Sequence, residues 1–327
     1  MRAAMVTALD GPGALELRDV EDPTPGPGQV VIDVAAAGVN FPDLLMTRGL
    51  YQLRPDLPFS PGGEIAGRVA AVGAGVTGLA IGDRVMALTF FGGFAAKVAV
   101  YERLCVPVPE GMDDATAGAF AFTYATSYHA LVDRGRARPG ERLLVLGAAG
   151  GVGLAAVEIG AALGLTVIAA ASTEEKLDLC QAHGAAGRIN YATSDLKQAA
   201  KALGGVDIVY DPVGGDYSEP ALRALKPGGR HLVIGFAAGS IPSVRLNLAL
   251  LKECEIIGVA WGAWALRNPE RHRANMDALC QRFVAGELRP HVSRRYPLAE
   301  ASAALEAMER REVHGKVVLE PRAQPAS

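Results

Sequence analysis

The alternation of apolar and polar residues changes character near residue 112. Before this point, short apolar runs are separated by glycine and proline, at 29–38, 64–73, 83–88 and 94–100. Runs of this length between turn residues are typical of β-strands, and no sustained helical period accompanies them. The first part of the chain is therefore predicted to be mostly β.

Beyond residue 112, helical and strand-like segments alternate. An apolar helix is predicted over 115–131. The elements that follow are strands 142–147, 165–171, 187–191, 206–211, 230–236 and 254–260, with helices 151–163, 174–183, 194–203 and 218–225 among them. This alternation predicts a doubly wound parallel sheet of the Rossmann type, which we place at 124–263.

The remaining tail, 264–327, is predicted to contain helix 269–285, strand 292–298, helix 299–310 and strand 315–320. A segment of this size is too short for a core of its own. We therefore expect it to fold back onto residues 1–123, so that the cofactor domain is inserted into a discontinuous catalytic domain. The predicted ligand cleft lies between the two domains.

A glycine loop follows the first strand of the parallel sheet. It contains Gly150, Gly151, Val152 and Gly153, and an apolar helix comes next. A strand, a glycine turn and a helix N-terminus together bind a pyrophosphate, because free backbone N–H groups and the helix dipole both face the anion. The alternative is a glycine turn selected only for close packing.

The end of the second strand indicates which dinucleotide binds. Where an acidic residue would bind the ribose of NAD, the chain has Ala171 and Ser172, with Lys176 shortly after. Ser172 and Lys176 supply a hydroxyl group and a positive charge for a 2′-phosphate, which predicts NADPH. In the alternative interpretation, Ser172 is a helix N-cap in a capping box with Glu175, and Lys176 is a solvated helix residue. Tyr191, at the end of the next strand, either lies against adenine or is an ordinary strand-end aromatic residue.

Charge and cysteine content narrow the class of partner. The net charge is −3, which argues against nucleic acid and anionic membranes and favours a small-molecule partner. Glycine clusters interrupt the apolar run 143–173, so a membrane span is not expected there. The four cysteines lie far apart without a CxxC pair, and no signal peptide is recognised. We expect a cytoplasmic protein.

Several motifs in order resemble the medium-chain dehydrogenase/reductase superfamily, and within it the zinc-independent quinone oxidoreductase (zeta-crystallin-like) branch. They are "AAAGVNFPDLLMTRGLY", "PFSPGGEIAGRVAAVG", "GDRV", "TYATSYHAL", "GAAGGVG", "KPGGRHLVIGF" and "HGKVVLEP". The resemblance covers nearly the whole chain. It implies an α/β protein with a mostly-β, GroES-like catalytic domain beside the Rossmann domain.

The same resemblance implies a site without metal. Zinc-dependent relatives carry a cysteine ligand where this chain has Asn40, and a histidine where it has Gly63. Of the four cysteines of the structural-zinc lobe, only Cys105 falls in the corresponding region. Hydride transfer is therefore expected to proceed without a Lewis acid.

Individual roles also follow from the resemblance. Asn40 and Thr126 match positions that border the nicotinamide, and Phe236 matches a loop residue beside the cofactor. Tyr51 matches an active-site tyrosine, while Met46 stands where some relatives have a second tyrosine. An alternative stays open for each of two residues. In one, Asn40 only provides hydrogen bonds to the backbone of a turn. In the other, Tyr51 only lines the cleft.

The expected activity is zinc-independent hydride transfer from NADPH to a quinone-like electrophilic acceptor. An alternative is reduction of the C=C bond of an enoyl thioester, acrylate or 2-alkenal, in which Arg48 and Arg54 hold an acidic group. A remote alternative is a non-catalytic protein that binds nucleotide or RNA. Segment 254–262 is expected to continue the sheet across a two-fold axis in a homodimer.

Overall fold

In this computed structural model, which describes residues 1–323, the chain forms two compact units. The first contains Met1–Phe122 and the chain from Pro290 onward, and the second is Thr123–Arg289. The first boundary lies beside the predicted one, at 123. The second differs, because residues 264–289 belong to the Rossmann unit rather than to the catalytic unit.

The elements of the first unit, up to its junction with the second, are strands with two short helices. They are β1 (Arg2–Val6), β2 (Leu15–Asp19), β3 (Gln29–Gly38), α1 (Phe41–Thr47), β4 (Glu64–Val72), β5 (Arg84–Leu88), β6 (Lys97–Tyr101), β7 (Cys105–Pro107) and α2 (Asp114–Gly118).

Helix α3 (Ala121–Tyr128) and a π-helical turn (His129–Arg134) lead into the second unit. Its elements are β8 (Arg142–Leu146), α4 (Gly151–Ala162), β9 (Thr166–Ala171), α5 (Glu174–Ala182), β10 (Gly187–Asn190), α6 (Leu196–Ala202), β11 (Val206–Asp211), α7 (Ser218–Ala224), β12 (Leu225–Val233), α8 (Asn247–Lys252), β13 (Glu255–Gly258), α9 (Trp261–Arg267) and α10 (Pro269–Val284). The first unit then resumes with β14 (Val292–Pro297), α11 (Ala301–Glu309) and β15 (Lys316–Glu320).

The tail completes the sheet of the first unit. Within residues 1–323 the strand order is β14-β15-β3-β4-β5-β7, with β6 also paired to β3. Strand β15 runs antiparallel to β3 and pairs Leu319 with Ala37. Alternate residues of these strands fill an apolar core that includes Ile32, Ile65 and Met86. This is the GroES-like fold that the resemblance implied.

The second unit has the predicted doubly wound sheet. Within the described residues its order is β10-β9-β8-β11-β12-β13, and every neighbouring pair is parallel. This order brings the carboxyl ends of the strands to one edge, where ligands bind in such sheets. The strand residues Leu144, Val145, Ile168 and Val209 are buried, as expected when helices cover both faces.

A buried and a partly buried carboxylate explain why residues 264–289 pack with the second unit. Asp133 accepts hydrogen bonds from the Arg271 guanidinium at 2.9 Å and the Asn275 amide at 2.8 Å. Glu158, inside the apolar helix α4, accepts one from the Arg289 backbone N–H at 3.1 Å. Burying a carboxylate is costly unless it is hydrogen-bonded, so helix α10 and the chain after it are held here.

The predicted helix over 115–131 is interrupted. Asp113 caps α2 by accepting the Thr116 N–H at 2.8 Å, and α2 ends at Gly118. A Cβ on Gly118 would lie 2.7 Å from the Ala36 carbonyl oxygen, so α2 packs its backbone directly on β3. This close contact ends the first helix before α3 begins. No helix of the described residues is long and apolar enough to cross a membrane.

Two glycines of the loop after β8 are predicted to respond differently to alanine. A Cβ on Gly153 would lie 2.3 Å from the Gly147 carbonyl oxygen, whereas one on Gly150 has no neighbour closer than 3.4 Å. Gly153→Ala should therefore separate α4 from β8 and lower the free energy of unfolding by about 1–3 kcal/mol. Gly150→Ala, the matched control, should unfold like the wild type in a thermal scan. Equal stability of both variants would contradict the packing argument.

Candidate functional site

A buried ion pair lies beside the start of helix α1 in the first unit. The Lys316 ammonium donates to the Asn40 Oδ1 at 2.6 Å and to the Val39 carbonyl oxygen at 2.7 Å. It also lies 3.0 Å from Glu64 Oε1, and both side chains are buried. The lysine comes from β15 and the glutamate from β4, so the pair connects the tail to the N-terminal sheet.

The remaining hydrogen-bonding groups of this cluster are also satisfied. The Asn40 amide donates to Glu64 Oε1 at 3.0 Å and to the Gly38 carbonyl oxygen at 3.3 Å. Glu64 Oε2 accepts the Phe122 N–H at 2.8 Å. A buried ion pair is stable only when its other hydrogen bonds are made, as they are here. Asn40 is thus part of a structural network, whatever it does toward a ligand.

Asp43 joins helix α1 to the glycine loop before β4. Its carboxylate accepts the Asn40 N–H at 2.8 Å and the Gly62 N–H at 3.0 Å. Burial raises the pKa of this carboxyl to about 7, against the effect of the two hydrogen bonds. Gly62 has φ of 101°, a conformation that favours glycine. The capping acid therefore fixes the loop that contains Gly63.

Tyr51 packs on the apolar side of the same helix. Its ring contacts the cluster of Val6, Met46 and Phe59. Partial burial raises the pKa of the Tyr51 phenol above its usual value, and the Asp43 carboxyl adds to the effect. The phenol hydroxyl has no hydrogen-bond partner among the described residues. It is a protonated donor at neutral pH.

The two arginines near Tyr51 differ in their contacts. Arg48 donates to Glu309 Oε1 at 2.6 Å, and its guanidinium packs against Gly11. The Arg54 side chain is exposed, and within residues 1–323 it donates only to the Tyr51 carbonyl oxygen, at 3.4 Å. Arg48 is therefore already occupied by a carboxylate of the protein.

In the second unit, the glycine loop precedes the N-terminus of helix α4. Gly150 is the N-cap, with φ of −79°, and no side chain caps the helix. Its conformation and surroundings both accommodate a Cβ, so the protein itself does not require glycine there. The first N–H groups of α4 lack acceptors within the helix, and no side chain fills the space in front of them. This space fits the pyrophosphate of a dinucleotide.

Sequence reasoning did not identify Asp211, the last residue of β11. Its Oδ2 accepts the Ser218 hydroxyl at 2.5 Å and contacts His231 Nε2 at 3.1 Å. Its Oδ1 accepts the N–H groups of Val213 at 2.9 Å and Gly214 at 2.8 Å. Burial alone would raise the pKa of Asp211, but the hydrogen bonds and the charge of His231 lower it below the usual value. An acid at the carboxyl end of a parallel strand, in "YDPVGG", was the available signal.

The loop that contains Phe236 is attached to this turn. The Ala238 N–H donates to the Val213 carbonyl oxygen at 2.8 Å, and the Gly215 N–H donates to the Ser240 carbonyl oxygen at 3.1 Å. A Cβ on Gly214, which has φ of 70°, would meet Phe236 at 2.8 Å. The turn at Asp211 therefore positions Phe236 at the carboxyl edge of the sheet.

The structure corrects one interpretation at the end of β9. The N-cap of α5 is Thr173, whose hydroxyl accepts the Lys176 N–H at 3.3 Å, so the capping role considered for Ser172 is wrong. The cap shifts by one residue because β9 continues through Ala171. The Ser172 hydroxyl has no hydrogen-bond partner among the described residues.

The predicted cofactor residues share one edge of the sheet. Gly150–Gly153 follow β8, Ser172 and Lys176 follow β9, Tyr191 follows β10, and Phe236 follows β12. The Tyr191 ring lies tilted against Tyr217, with centroids 4.6 Å apart. Thr126 is buried in α3 of the second unit, whereas Asn40 and Tyr51 lie together in the first.

The buried ion pair should be essential for the stability of the first unit. Lys316→Met leaves the Glu64 carboxylate buried without a cation, which should cost about 3–5 kcal/mol of unfolding free energy. The double variant Lys316→Met with Glu64→Gln should recover most of this loss, because no charge remains buried. Urea unfolding followed by circular dichroism measures both. A cost below about 1 kcal/mol for the single variant would show that the pair is dispensable.

Comparison with known proteins places the chain in a family. Residues 26–110 match the alcohol dehydrogenase GroES-like domain, and residues 151–279 match the zinc-binding dehydrogenase family. The chain is 37% identical over 322 residues to quinone oxidoreductase-like protein 2 of Bos taurus, covering 97% of this chain and 92% of that protein. It is 34% identical over 311 residues to the quinone oxidoreductase of Rattus norvegicus, covering 94% and 93% of the two chains.

A solved structure gives the same result. The quinone oxidoreductase from Thermus thermophilus, determined alone and in complex with NADPH, is 39% identical, with a TM-score of 0.85. The match covers 98% of this chain and 100% of that chain.

The zinc ion that one family name implies does not fit the residues of this chain. Asn40 and Gly63 replace the soft ligands, and the Lys316 ammonium already occupies Glu64 Oε1. Among the described residues, no group of three or more histidine, cysteine or acidic side chains is arranged to hold a metal. The chain belongs to the quinone oxidoreductase branch of the medium-chain dehydrogenase/reductase superfamily.

Proposed function

We propose that the protein transfers hydride from NADPH to a quinone-like acceptor without a metal ion. The observation that carries this proposal is the Lys316–Glu64–Asn40 cluster, because it takes up Asn40, the residue that stands where zinc-dependent relatives have a cysteine ligand. In zinc-dependent relatives such a metal polarises the oxygen of an ordinary carbonyl substrate. A quinone is already electron-poor and accepts hydride without it, which agrees with the names of the relatives.

The second unit supplies the residues that hold the cofactor. The N–H groups of Gly151, Val152 and Gly153 bind the pyrophosphate at the start of α4, and Gly150 leaves room for it. Ser172 donates its hydroxyl to the 2′-phosphate. When bound, NADPH supplies a hydride from C4 of its nicotinamide ring.

The Asp211 turn gives Phe236 a fixed position beside the cofactor. Backbone hydrogen bonds attach the Phe236 loop to the turn, and the turn is held by the Asp211 carboxylate. The roles that the resemblance implies for Asn40 and Thr126, and the contact of Tyr191 with adenine expected from its place at a strand end, stay predictions.

In the first unit, Tyr51 is the proposed donor to the acceptor oxygen. Its raised pKa keeps the phenol protonated, and its hydroxyl is not used by another described residue. A reduced quinone is an anion that water also protonates, so Tyr51 orients and stabilises the oxygen rather than acting as an obligatory acid. The enoyl alternative gains no support from Arg48, which is paired with Glu309.

We also propose a homodimer in the cytoplasm. Strand β13 lies at one end of the sheet. Just before it, Leu246, the N-cap of α8, is 79% exposed, and Leu250 and Leu251 of that helix are 76% and 73% exposed. An unpaired edge beside exposed leucines favours pairing with a second copy. The four cysteines are free thiols, as expected in a reducing compartment.

Cofactor choice tests the proposed 2′-phosphate site. Lys176→Ala should raise KM for NADPH and leave KM for NADH unchanged, removing about 1–3 kcal/mol of the preference. Steady-state kinetics with both cofactors measures this. Equal kcat/KM for NADPH and NADH in the wild type would contradict the assignment of Ser172 and Lys176.

The acceptor is tested by assaying NADPH oxidation with 1,4-benzoquinone, 9,10-phenanthrenequinone, crotonyl-CoA, acrylate and 2-hexenal in parallel. The quinones should give the highest kcat/KM. Tyr51→Phe should lower kcat/KM for a quinone about tenfold or less, because water replaces the lost donor. For an enoyl substrate, whose α-carbon must be protonated, the same change should cost about a hundredfold if Tyr51 is the acid. Efficient enoyl reduction with a large loss in Tyr51→Phe would refute the quinone proposal.

A further inference from the structure

Acidic residues surround the proposed 2′-phosphate site. Glu174 and Glu175 occupy the first turn of α5, directly after Ser172 and Thr173. In related sheets the acid that binds the ribose 2′-hydroxyl of NAD stands at the end of the second strand, where this chain has Ala171 and Ser172. Glu174 follows two residues later, and the negative charge of a carboxylate repels a 2′-phosphate. Glu174 without a partner would therefore oppose the binding of a 2′-phosphate.

The structure holds Glu174 by both of its carboxylate oxygens. The Asn190 amide donates to Oε1 at 2.7 Å, and the Arg188 guanidinium donates to Oε2 at 2.6 Å. Both donors come from β10, which lies parallel to β9 and pairs Asn190 with Ala171. We call Glu174, Arg188 and Asn190 the β10 clamp.

The sheet register explains why the clamp lies beside the phosphate site. Asn190 is opposite Ala171, the residue immediately before Ser172, and the Tyr191 N–H donates to the Ala171 carbonyl oxygen at 3.1 Å. The ends of β9 and β10 are thus adjacent. The Glu174 carboxylate therefore bonds to side chains of β10, although Glu174 itself comes shortly after β9 in the chain.

Arg188 also offsets the negative charge of a second acidic residue in helix α5. Its second nitrogen donates to Asp178 Oδ1 at 2.8 Å and to Gln181 at 3.1 Å. The hydrogen bonds from Asn190 and Arg188 hold the pKa of Glu174 below its usual value, so this acid is ionised at neutral pH. Protonation does not remove this charge at neutral pH, whereas the ion pair with Arg188 offsets it.

We propose that the β10 clamp is a determinant of cofactor specificity. Arg188 and Asn190 hold and neutralise Glu174, so that the site accepts a 2′-phosphate and gives no carboxylate to a ribose 2′-hydroxyl. Arg188 acts through Glu174 and is a positioning residue. The proposal rests on the 2′-phosphate site of Ser172 and Lys176 described above.

Equilibrium binding tests the clamp independently of turnover. Calorimetric titrations of the protein with 2′,5′-ADP and 5′-ADP, at low ionic strength, compare ligands that differ only in the 2′-phosphate. Arg188→Met should weaken 2′,5′-ADP about two- to fivefold and leave 5′-ADP unchanged or tighter, since the pair is solvent-exposed and partly screened. Adding Glu174→Gln to Arg188→Met should restore the wild-type ratio of the two dissociation constants.

Two controls separate the clamp from general charge loss and from misfolding. Arg223→Met breaks a partly exposed pair with Glu219 in helix α7 and removes the same charge from the same unit. It should leave the ratio unchanged. Asp178→Asn removes the second partner of Arg188 but keeps the β10 clamp, so the preference for 2′,5′-ADP should be retained.

Four outcomes would overturn the proposal, and the last of them leaves the cofactor site intact. The first is equal weakening of both ligands by Arg188→Met, and the second is failure of Glu174→Gln to restore the ratio. The third is an unchanged ratio in Lys176→Ala, which removes the phosphate site itself. If Lys176→Ala shifts the ratio and Arg188→Met does not, the cofactor site stands and only the clamp is wrong.

Discussion

The architecture of the first unit depends on a buried ammonium group held between an amide and a carboxylate. Lys316 arrives on the last strand, Glu64 begins β4, and Asn40 precedes α1, so three distant parts of the chain meet at one charge. Neither ion would be stable there alone. The same contacts engage Asn40, which stands where zinc-dependent relatives have a cysteine ligand. A discontinuous catalytic unit and a site without metal therefore have a common physical cause.

The second unit is organised by close backbone packing and parallel strands. Gly153 allows α4 to approach the loop after β8, and the strand order brings the carboxyl ends together. Side chains then define the ligand: Asp211 fixes the turn beside Phe236, and Glu174 is held by residues of β10. The proposed cofactor site thus lies at the carboxyl edge of the parallel sheet, and a few polar contacts set its preference between cofactors.

Much of this was predictable from the sequence. The βα alternation identified the parallel sheet, and the motifs identified the family. The boundary at 289 was not predictable, because it depends on hydrogen bonds that Asp133 and Glu158 make after folding. Likewise, pairing of Arg188 with Glu174 requires the register of β10 against β9, and no pattern in "HGKVVLE" indicates that its lysine reaches Asn40. The periodicity of apolar residues predicts helices and strands, whereas the pairing of buried polar side chains depends on how those helices and strands are arranged in space.

The most direct test of the account is the metal content of the active enzyme. Elemental analysis of the purified protein, combined with NADPH-dependent quinone reduction before and after EDTA treatment, measures whether the buried ammonium cluster takes the place of a metal ion. The account predicts no stoichiometric zinc and unchanged quinone reduction after chelation. One equivalent of tightly bound zinc per chain, with activity lost on its removal and restored on its return, would contradict it.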